Sequence, residues 1–546
     1  MPQLAPILRA GRRDVVAIAL GLVLWPALAF GAGRPGASHE ERADVRAIGQ
    51  RLSGCVGRED PACVEALLPE IERMTGAGVT AAYARAHAQL LRGQFDEASK
   101  GLLAIAKADA APPALRQRAG SLAEIAAATA KATAGMERRL LVDGRFEVLW
   151  TPGPDEVMIE LLEAVLARAE APLQAVFGPL PPPPIRIHIY PKVETLAAVT
   201  GLTEQQIRTS GTIAVCKYNR LMLTSPRDLV LGYPWADTVV HELIHLLVTR
   251  RAGDAVPIWL HEAIARGHEG LWRGVGPDTL DSDEIAALQQ ARRSGRFIPL
   301  AKMSPTMAAL PSQEAAQLAF AEVHYLLRHL LRGVQRPLGA LLDAFAEAPS
   351  EEAAIERWAG TPRAQLLAGW MRSLRRGDDL PAAQVQAAAA HTLQFRRAGG
   401  GDRKPRGPEA GARFAELGDR LMALQRPAAA IIEYRKASAA GAPDDVWMWT
   451  RLARALHQVG DFDQAEQVAA SALQRSPWHP PLLLIAGMTA LDRKEPKLAL
   501  ERAESAMWVN PFDGELAALA AQASDALGDV TAAARWRHRQ QRVATP

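Results

Sequence analysis

Three prolines near the C-terminus, Pro443, Pro477 and Pro511, stand 34 residues apart. Ala465 and Ala499 keep that spacing, and so do Ala472 and Ala506. A fixed period of this length means one supersecondary unit repeated, each copy burying its apolar face on the next. Within one period, Trp449, Leu452, Gly460, Phe462, Ala465, Ala472 and Pro477 fit a helical hairpin. The glycine makes the turn, the alanines let two helices approach closely, and the proline stops the second helix. The pattern predicts about three hairpins over 412–546, closed by a terminal helix at 515–541. Such a stack exposes a concave surface suited to a peptide or protein partner. The competing reading is a structural cap on the neighbouring domain.

These residues resemble the tetratricopeptide repeat. Upstream, residues 40–135 read as helix throughout, and "YARAHAQLLRGQFDEASKGLLAIA" carries one more copy of the turn, Gly93-x-Phe95-x-x-Ala98. A single copy is equally what a generic helical hairpin shows. Between the two helical regions the pattern changes. "RFEVLW" (145–150) and "PIRIHIY" (184–190) read as strands, with a helix at about 155–177 between them. "GTIAVCKYNRLMLTS" (211–225) reads as a strand or hairpin, and helical periodicity returns over 281–375. An α+β domain at 140–378 follows. "RRAGGGDRKPRGPEAGA" (396–412) has no periodicity and reads as linker, placed at 379–411. A mere tether there predicts that 140–378 keeps its metal without the C-terminal repeats.

The chemistry concentrates in "HELIHLLVTRRAGDAVPIWLHEAIA", residues 241–265. His241 and His245 lie four apart, hence on one face of a helix. Two imidazoles so placed offer two positions of a tetrahedral zinc, and Glu242, offset around the helix, suits a general base. Val239, Val240, Leu243, Ile244, Leu246 and Leu247 would bury this helix. Histidines in such surroundings need polar partners, which a metal supplies. A third ligand must come from another element. Pro257 starts a second helix, and Glu262 on it is the candidate. The longer pattern HExxHxxGxxH fails, because Val248 and Arg251 stand where Gly and His are needed.

HELIH followed by WLHEAIA resembles the gluzincins, and within them the peptidase MA-like family, often fused to tetratricopeptide repeats. The likeness covers about 140–375, "FAEVHYLLRHLL" included. It implies zinc, one ion per chain, held by His241, His245 and Glu262, with Glu242 as catalytic base. It also implies Glu269 as an outer carboxylate orienting a ligand histidine. Ala263 replaces the glycine that commonly follows the ligand glutamate, and Ala316 and Ala319 replace a Tyr/Ser start to the later helix. An oxyanion donor would then be Tyr325 or His324. Tyr325, amid Val323, Leu326 and Leu327, reads equally as a core residue. His261 and His268 flank the ligand helix, His268 as a groove donor or a surface residue.

The expected protein is multidomain, an α+β zincin-like (gluzincin) metallopeptidase domain flanked by all-α tetratricopeptide-like helical repeats. The expected segments are 1–29, 30–139, 140–378, 379–411 and 412–546. The expected function is that of a zinc metalloendopeptidase acting on a peptide or protein substrate, which could lie along 211–225 as an added strand. The repeats would bind substrate or a partner protein. The alternative is a weak or inactive zincin domain on an interaction scaffold.

Three further features bound this reading. The formal net charge of +3 is too small to suggest nucleic acid. Arg9, Arg12 and Arg13 precede an apolar run, Val15 to Phe30, and Ala27-Leu28-Ala29 offers a cleavage site. This reads as a signal peptide over 1–29, hence a bacterial periplasmic or secreted protein. Left uncleaved, the segment would be a membrane anchor. In an exported protein Cys55 and Cys63, flanking "VGREDPA", could close a disulfide loop, the competing reading being two reduced thiols. Cys216 is left to pack as a small apolar residue.

Overall fold

A computed structural model describes residues 39–76, 78–304, 306–378, 380, 393–396, 409–440 and 446–544. The expected signal peptide and Pro443 lie outside them. Five helices come first: α1 (His39–Gly57), α2 (Pro61–Thr75), α3 (Val79–Arg92), α4 (Phe95–Ala106) and α5 (Pro113–Thr133). The central part holds β1 (Glu137–Leu141), β2 (Phe146–Trp150), α6 (Glu156–Phe177), β3 (Ile185–Tyr190), α7 (Val193–Thr200) and α8 (Glu204–Ser210). It continues with β4 (Ala214–Cys216), β5 (Arg220–Thr224), α9 (Trp235–Ala252), α10 (Ile258–His268) and α11 (Ser282–Ser294). Then come α12 (Gln313–Val334), α13 (Leu338–Glu347), α14 (Glu351–Ala359) and α15 (Arg363–Arg376).

The five strands form one sheet in the order β1-β2-β3-β5-β4. β2, β3 and β5 run parallel; β1 and β4 close the two edges antiparallel. Strand β1 lies just past the stretch read as helix, 40–135, and straddles the expected boundary between 30–139 and 140–378. Its "ERRLL" is exposed except for Leu141, so alternation gave no sign of it. Strand period 2 explains what each face does. Ile185, Ile187 and Ile189 turn to the core beneath α6 and α9. Arg186, His188 and Tyr190 turn the other way, toward the N-terminal helices. His188 meets Phe95 edge-on at 6.0 Å, and Arg186 donates to the Leu91 carbonyl at 3.3 Å. The N-terminal helices, together with α7 and α8, thus cover the sheet's second face.

The C-terminal array is α16 (Glu409–Ala423), α17 (Pro427–Ala439), α18 (Val446–Gln458), α19 (Phe462–Leu473), α20 (Pro480–Asp492), α21 (Pro496–Met507), α22 (Gly514–Ala526) and α23 (Val530–Ala544). Helix starts at 446, 480 and 514, and at 462, 496 and 530, preserve the period of 34. The terminal helix expected at 515–541 is therefore a fourth hairpin. Gly528, at φ 80°, breaks it with the left-handed turn that Gly460 makes at φ 81°. Ala465, Ala499, Ala472 and Ala506 are buried where paired helices meet.

The array is not loosely tethered. The turn after α21 packs on the start of α9: Trp508 sits against Trp235 (5.8 Å between ring centroids) and Trp272 (5.0 Å). The Trp235 indole donates to the Met507 carbonyl at 3.0 Å, and the Tyr233 N–H to the Val509 carbonyl at 3.1 Å. Of the expected linker, 393–396 runs against the central domain, where the Val230 N–H donates to the Gln394 carbonyl at 2.8 Å. Residues 409–411 already belong to α16.

Candidate metal centre

Helix α9 follows the turn Gly232-Tyr233-Pro234 and ends at Gly253, φ 67°. Its apolar residues bury it in the core; His241 and His245 face α10, whereas Glu242, offset by one residue around the helix, turns toward β4. A short turn and Pro257, the N-cap of α10, reverse the chain and return Glu262. His241 Nε2 lies 3.1 Å from His245 Nε2 and 3.2 Å from Glu262 Oε2. His245 Nε2 is 3.4 Å from that same oxygen. Among the described residues this is the one group of three or more potential ligands close enough to share an ion.

The donor set fits zinc. Zn–N and Zn–O distances of about 2.0–2.1 Å in a tetrahedron put neighbouring donors about 3.3 Å apart, which these three match. Tautomers agree too. His241 Nδ1 is 2.8 Å from Glu269 Oε2, so it carries the proton and leaves Nε2 its lone pair. His245 Nδ1 is 3.1 Å from His261 Nδ1. Burial holds His261 neutral, at about 3, so it can accept that proton's hydrogen bond. Once the proton that His241 Nε2 holds toward Glu262 is displaced, three acceptor atoms face one point, an arrangement suited to a cation.

The electrostatics say the same. Burial opposes charge on His241, but hydrogen bonds to Glu262 and Glu269 outweigh it and lift its pKa to about 10. Burial also opposes charge on Glu262, yet His245 and His241 hold it well below the carboxylate range. A site that stabilises positive charge between two imidazoles and a carboxylate is one a divalent ion can use. Glu242 is buried, which raises its pKa, while the nearby His245, His241 and the backbone N–H of Cys216 on β4 offset part of that rise. Glu269 is anchored in turn by Arg266, which also binds Glu284 (2.8 Å) and Asp281 (2.5 Å).

Tyr325 is not brought to this group. Its hydroxyl donates to the Asp378 carbonyl at 2.5 Å and meets Ser373 Oγ at 2.9 Å. Five residues along a helix turn a side chain well away, and the face of α12 toward His241 carries Phe320, 6.2 Å between ring centroids. Tyr325 is thus the core residue of the competing reading. His324 serves Glu284 (2.8 Å) and the Pro277 carbonyl (3.0 Å). His268 is neither groove donor nor surface residue: it is buried, its Nδ1 at 2.8 Å from the Ile264 carbonyl. The sequence reading gave no role to His261, Arg266 or the Cys216 N–H. The spacing of His261, beside the ligand glutamate, was the one available sign.

A histidine pair and a glutamate between two helices, beside an edge strand, define a peptidase-like domain. Residues 167–375 match the model of the peptidase MA superfamily, and 446–490 match a tetratricopeptide repeat model. The chain therefore carries a peptidase MA domain fused to tetratricopeptide repeats. No curated protein matches it. Among solved structures it is similar to MamA from Desulfovibrio magneticus RS-1, at 19% identity over 26% of this chain and 78% of that one, TM-score 0.24. A thermophilic tetratricopeptide protein from Thermus thermophilus gives 20%, 25%, 75% and 0.24 by the same measures. The Cut9–Hcn1 hetero-tetramer gives 12%, 93%, 79% and 0.24.

Proposed function

We propose that this chain is a zinc-dependent endopeptidase, with His241, His245 and Glu262 as metal ligands and Glu242 as general base. The convergence of two imidazole nitrogens and one carboxylate oxygen beside a second, buried carboxylate carries the reading. Zinc bound there would supply Lewis acidity, polarising the scissile carbonyl and acidifying water. Glu242 would take the proton from the attacking water and deliver it to the leaving amine nitrogen. Its raised pKa suits a group that must both accept and return a proton. Glu269 would hold the His241 proton on Nδ1, and His261 that of His245.

The substrate would lie along β4. Lys217 and Ile213 bond inward to β5, through Arg220 at 3.0 Å and Thr224 at 2.9 Å. By the alternation of an antiparallel pair, Ala214 and Cys216 turn their backbone groups outward. That outward edge lies next to α9, which packs against β4 near Glu242. An extended peptide added there would pass the metal ligands.

The repeats would bind substrate or a partner protein. Export to the periplasm or medium is part of this proposal, supported by the basic and apolar N-terminal sequence. Among the described residues no helix is long and apolar enough to cross a membrane. One observation favours a second reading, a zinc-binding scaffold with little turnover: Phe320, not a hydroxyl, faces His241 from α12.

Metal content and proteolysis decide between them. The purified protein should hold about one zinc per chain, and Glu262→Ala should lose it. Glu242→Gln should keep the zinc and lose about a hundredfold or more of the cleavage of an unfolded protein. No zinc in the native protein after reconstitution sinks both readings. Zinc with equal inertness of native and Glu242→Gln leaves the scaffold.

A further inference from the structure

The disulfide loop between α1 and α2 touches the strand on which the proposed substrate would lie. Cys55 and Cys63 are joined, their Cα atoms 5.4 Å apart. The loop they close places Glu59 in the left-handed region, φ 51°. Its carboxylate reaches the tip of the β4–β5 hairpin, accepting the Tyr218 N–H at 2.8 Å and the Asn219 N–H at 2.5 Å.

That tip needs outside support. Tyr218 and Asn219 have φ of 57° and 58°, the type I′ turn that glycine and asparagine normally make. Tyrosine at the first of these positions is disfavoured. In such a turn neither central N–H has a partner within the hairpin, so both point at one acceptor, and here that acceptor is a carboxylate. A second tie runs alongside. Arg250, near the end of the metal helix α9, bonds Asn219 Oδ1 at 2.6 Å and pairs with Asp60 of the loop at 3.2 Å. Asn219 Nδ2 donates to the Leu91 carbonyl at 3.1 Å. The loop, the hairpin tip and the metal helix are thus bonded to each other pairwise.

We propose that the Cys55–Cys63 loop is a clip that holds the substrate-aligning edge, β4, at a set distance from the metal helix, with Glu59 as the positioning residue. This rests on the peptidase reading for what lies on β4. The edge has only three residues, Ala214–Cys216. So short an edge has little stiffness of its own, and its place is set by its ends. The substrate class follows: a peptide in extended form, recognised through its main chain, and long enough to span the edge.

The test compares Glu59→Ala, Glu59→Gln and the Cys55→Ser/Cys63→Ser double variant with the native protein, all full length. Two labelled probes serve, an unstructured peptide of about eight residues and a capped dipeptide too short to pair. Affinity is read by fluorescence anisotropy in a Glu242→Gln background, so that no turnover is needed. Amide exchange over 214–221 and zinc per chain are measured on the same samples. Glu59→Ala and the double variant should weaken the long peptide about tenfold, with exchange at Cys216 faster and zinc unchanged. The dipeptide should be unaffected, and Glu59→Gln, which keeps one carbonyl oxygen, should fall between. Native affinity in all three variants, an equal loss for both probes, or loss of zinc would overturn the clip. A native protein that binds the long peptide through this edge but never cleaves it ends the peptidase reading and leaves the clip standing.

Discussion

Glu322 shows how one residue sets a pH response. It is wholly buried on α12, and among the described residues its hydrogen-bond donor is the Ile298 N–H, at 3.1 and 3.2 Å. Burial without a counter-charge pushes its pKa up to about 8. The folded value lies above the unfolded one, so the folded state binds the proton more tightly. Stability is therefore highest below the unfolded value and falls as pH rises through the window up to about 8. Glu322→Gln keeps the acceptor for Ile298 and removes the charge. It should raise the melting temperature at pH 8.5 and leave it nearly unchanged at pH 4, a difference of a few kcal/mol at most. Equal shifts at both pH values would show that Glu322 does not titrate in this window. Glu284 is a contrasting case. Burial opposes its charge too, but Arg266 and His324 outweigh burial and bring it to about 2.

At the scale of elements, the contact between the turn after α21 and the segment before α9 matters most. Gly232 has φ 77°, and a Cβ there would stand 2.1 Å from the Val509 carbonyl oxygen. A backbone oxygen cannot swing aside as a flexible side chain does. Gly232→Ala should therefore push the Trp508 turn off Trp235 and Trp272, destabilising by about 1–3 kcal/mol. Near-UV circular dichroism should lose part of its tryptophan signal, and unfolding should split or shift to lower denaturant. An unchanged spectrum and midpoint would mean the turn is not packed as described. The hairpin motif was legible here, from Gly460, Phe462 and the alanines. Its docking was not, because Trp508 and Trp235 are far apart in sequence and each looks like an ordinary helix-end aromatic.

For the whole molecule, the three regions share surfaces instead of standing apart. The N-terminal helices help cover one face of the sheet, and Arg220 of β5 donates to Thr129 of α5 at 3.1 Å. The repeats cover the start of α9 and hold α6 through Arg539–Glu160 and Arg542–Glu156. A mere tether implies that the central domain keeps its metal without 411–546, whereas the docked turn predicts otherwise. Deleting 411–546 exposes Trp235 and Trp272 beside the metal helix, a new apolar patch of the kind that drives association. The truncated protein should melt at lower temperature, aggregate at micromolar concentration and bind zinc more weakly than the full chain. A monomeric truncation with native zinc affinity would restore the tether reading.

The sequence alone determined what depends on local spacing. The i, i+4 histidines, the glutamate on the next helix and the period of 34 follow from helix geometry and need no knowledge of what packs where. So did strands β2 and β3, whose apolar alternation is strong. Strand β1 was hidden by its charge and exposure. Glu269 could be named only by resemblance, and Tyr325 was misplaced as a candidate donor, since chain order does not say which way a helix is rotated against its neighbours. Tertiary structure alone decided that rotation, putting Phe320 toward His241 and Tyr325 toward Ser373. It also decided that Arg266 holds Glu269, that Glu59 caps the hairpin 160 residues on, and that the repeats rest on the metal helix. The reason is common to all of these. Each contact joins residues distant in the chain, and its partner is chosen by packing, which local pattern does not encode.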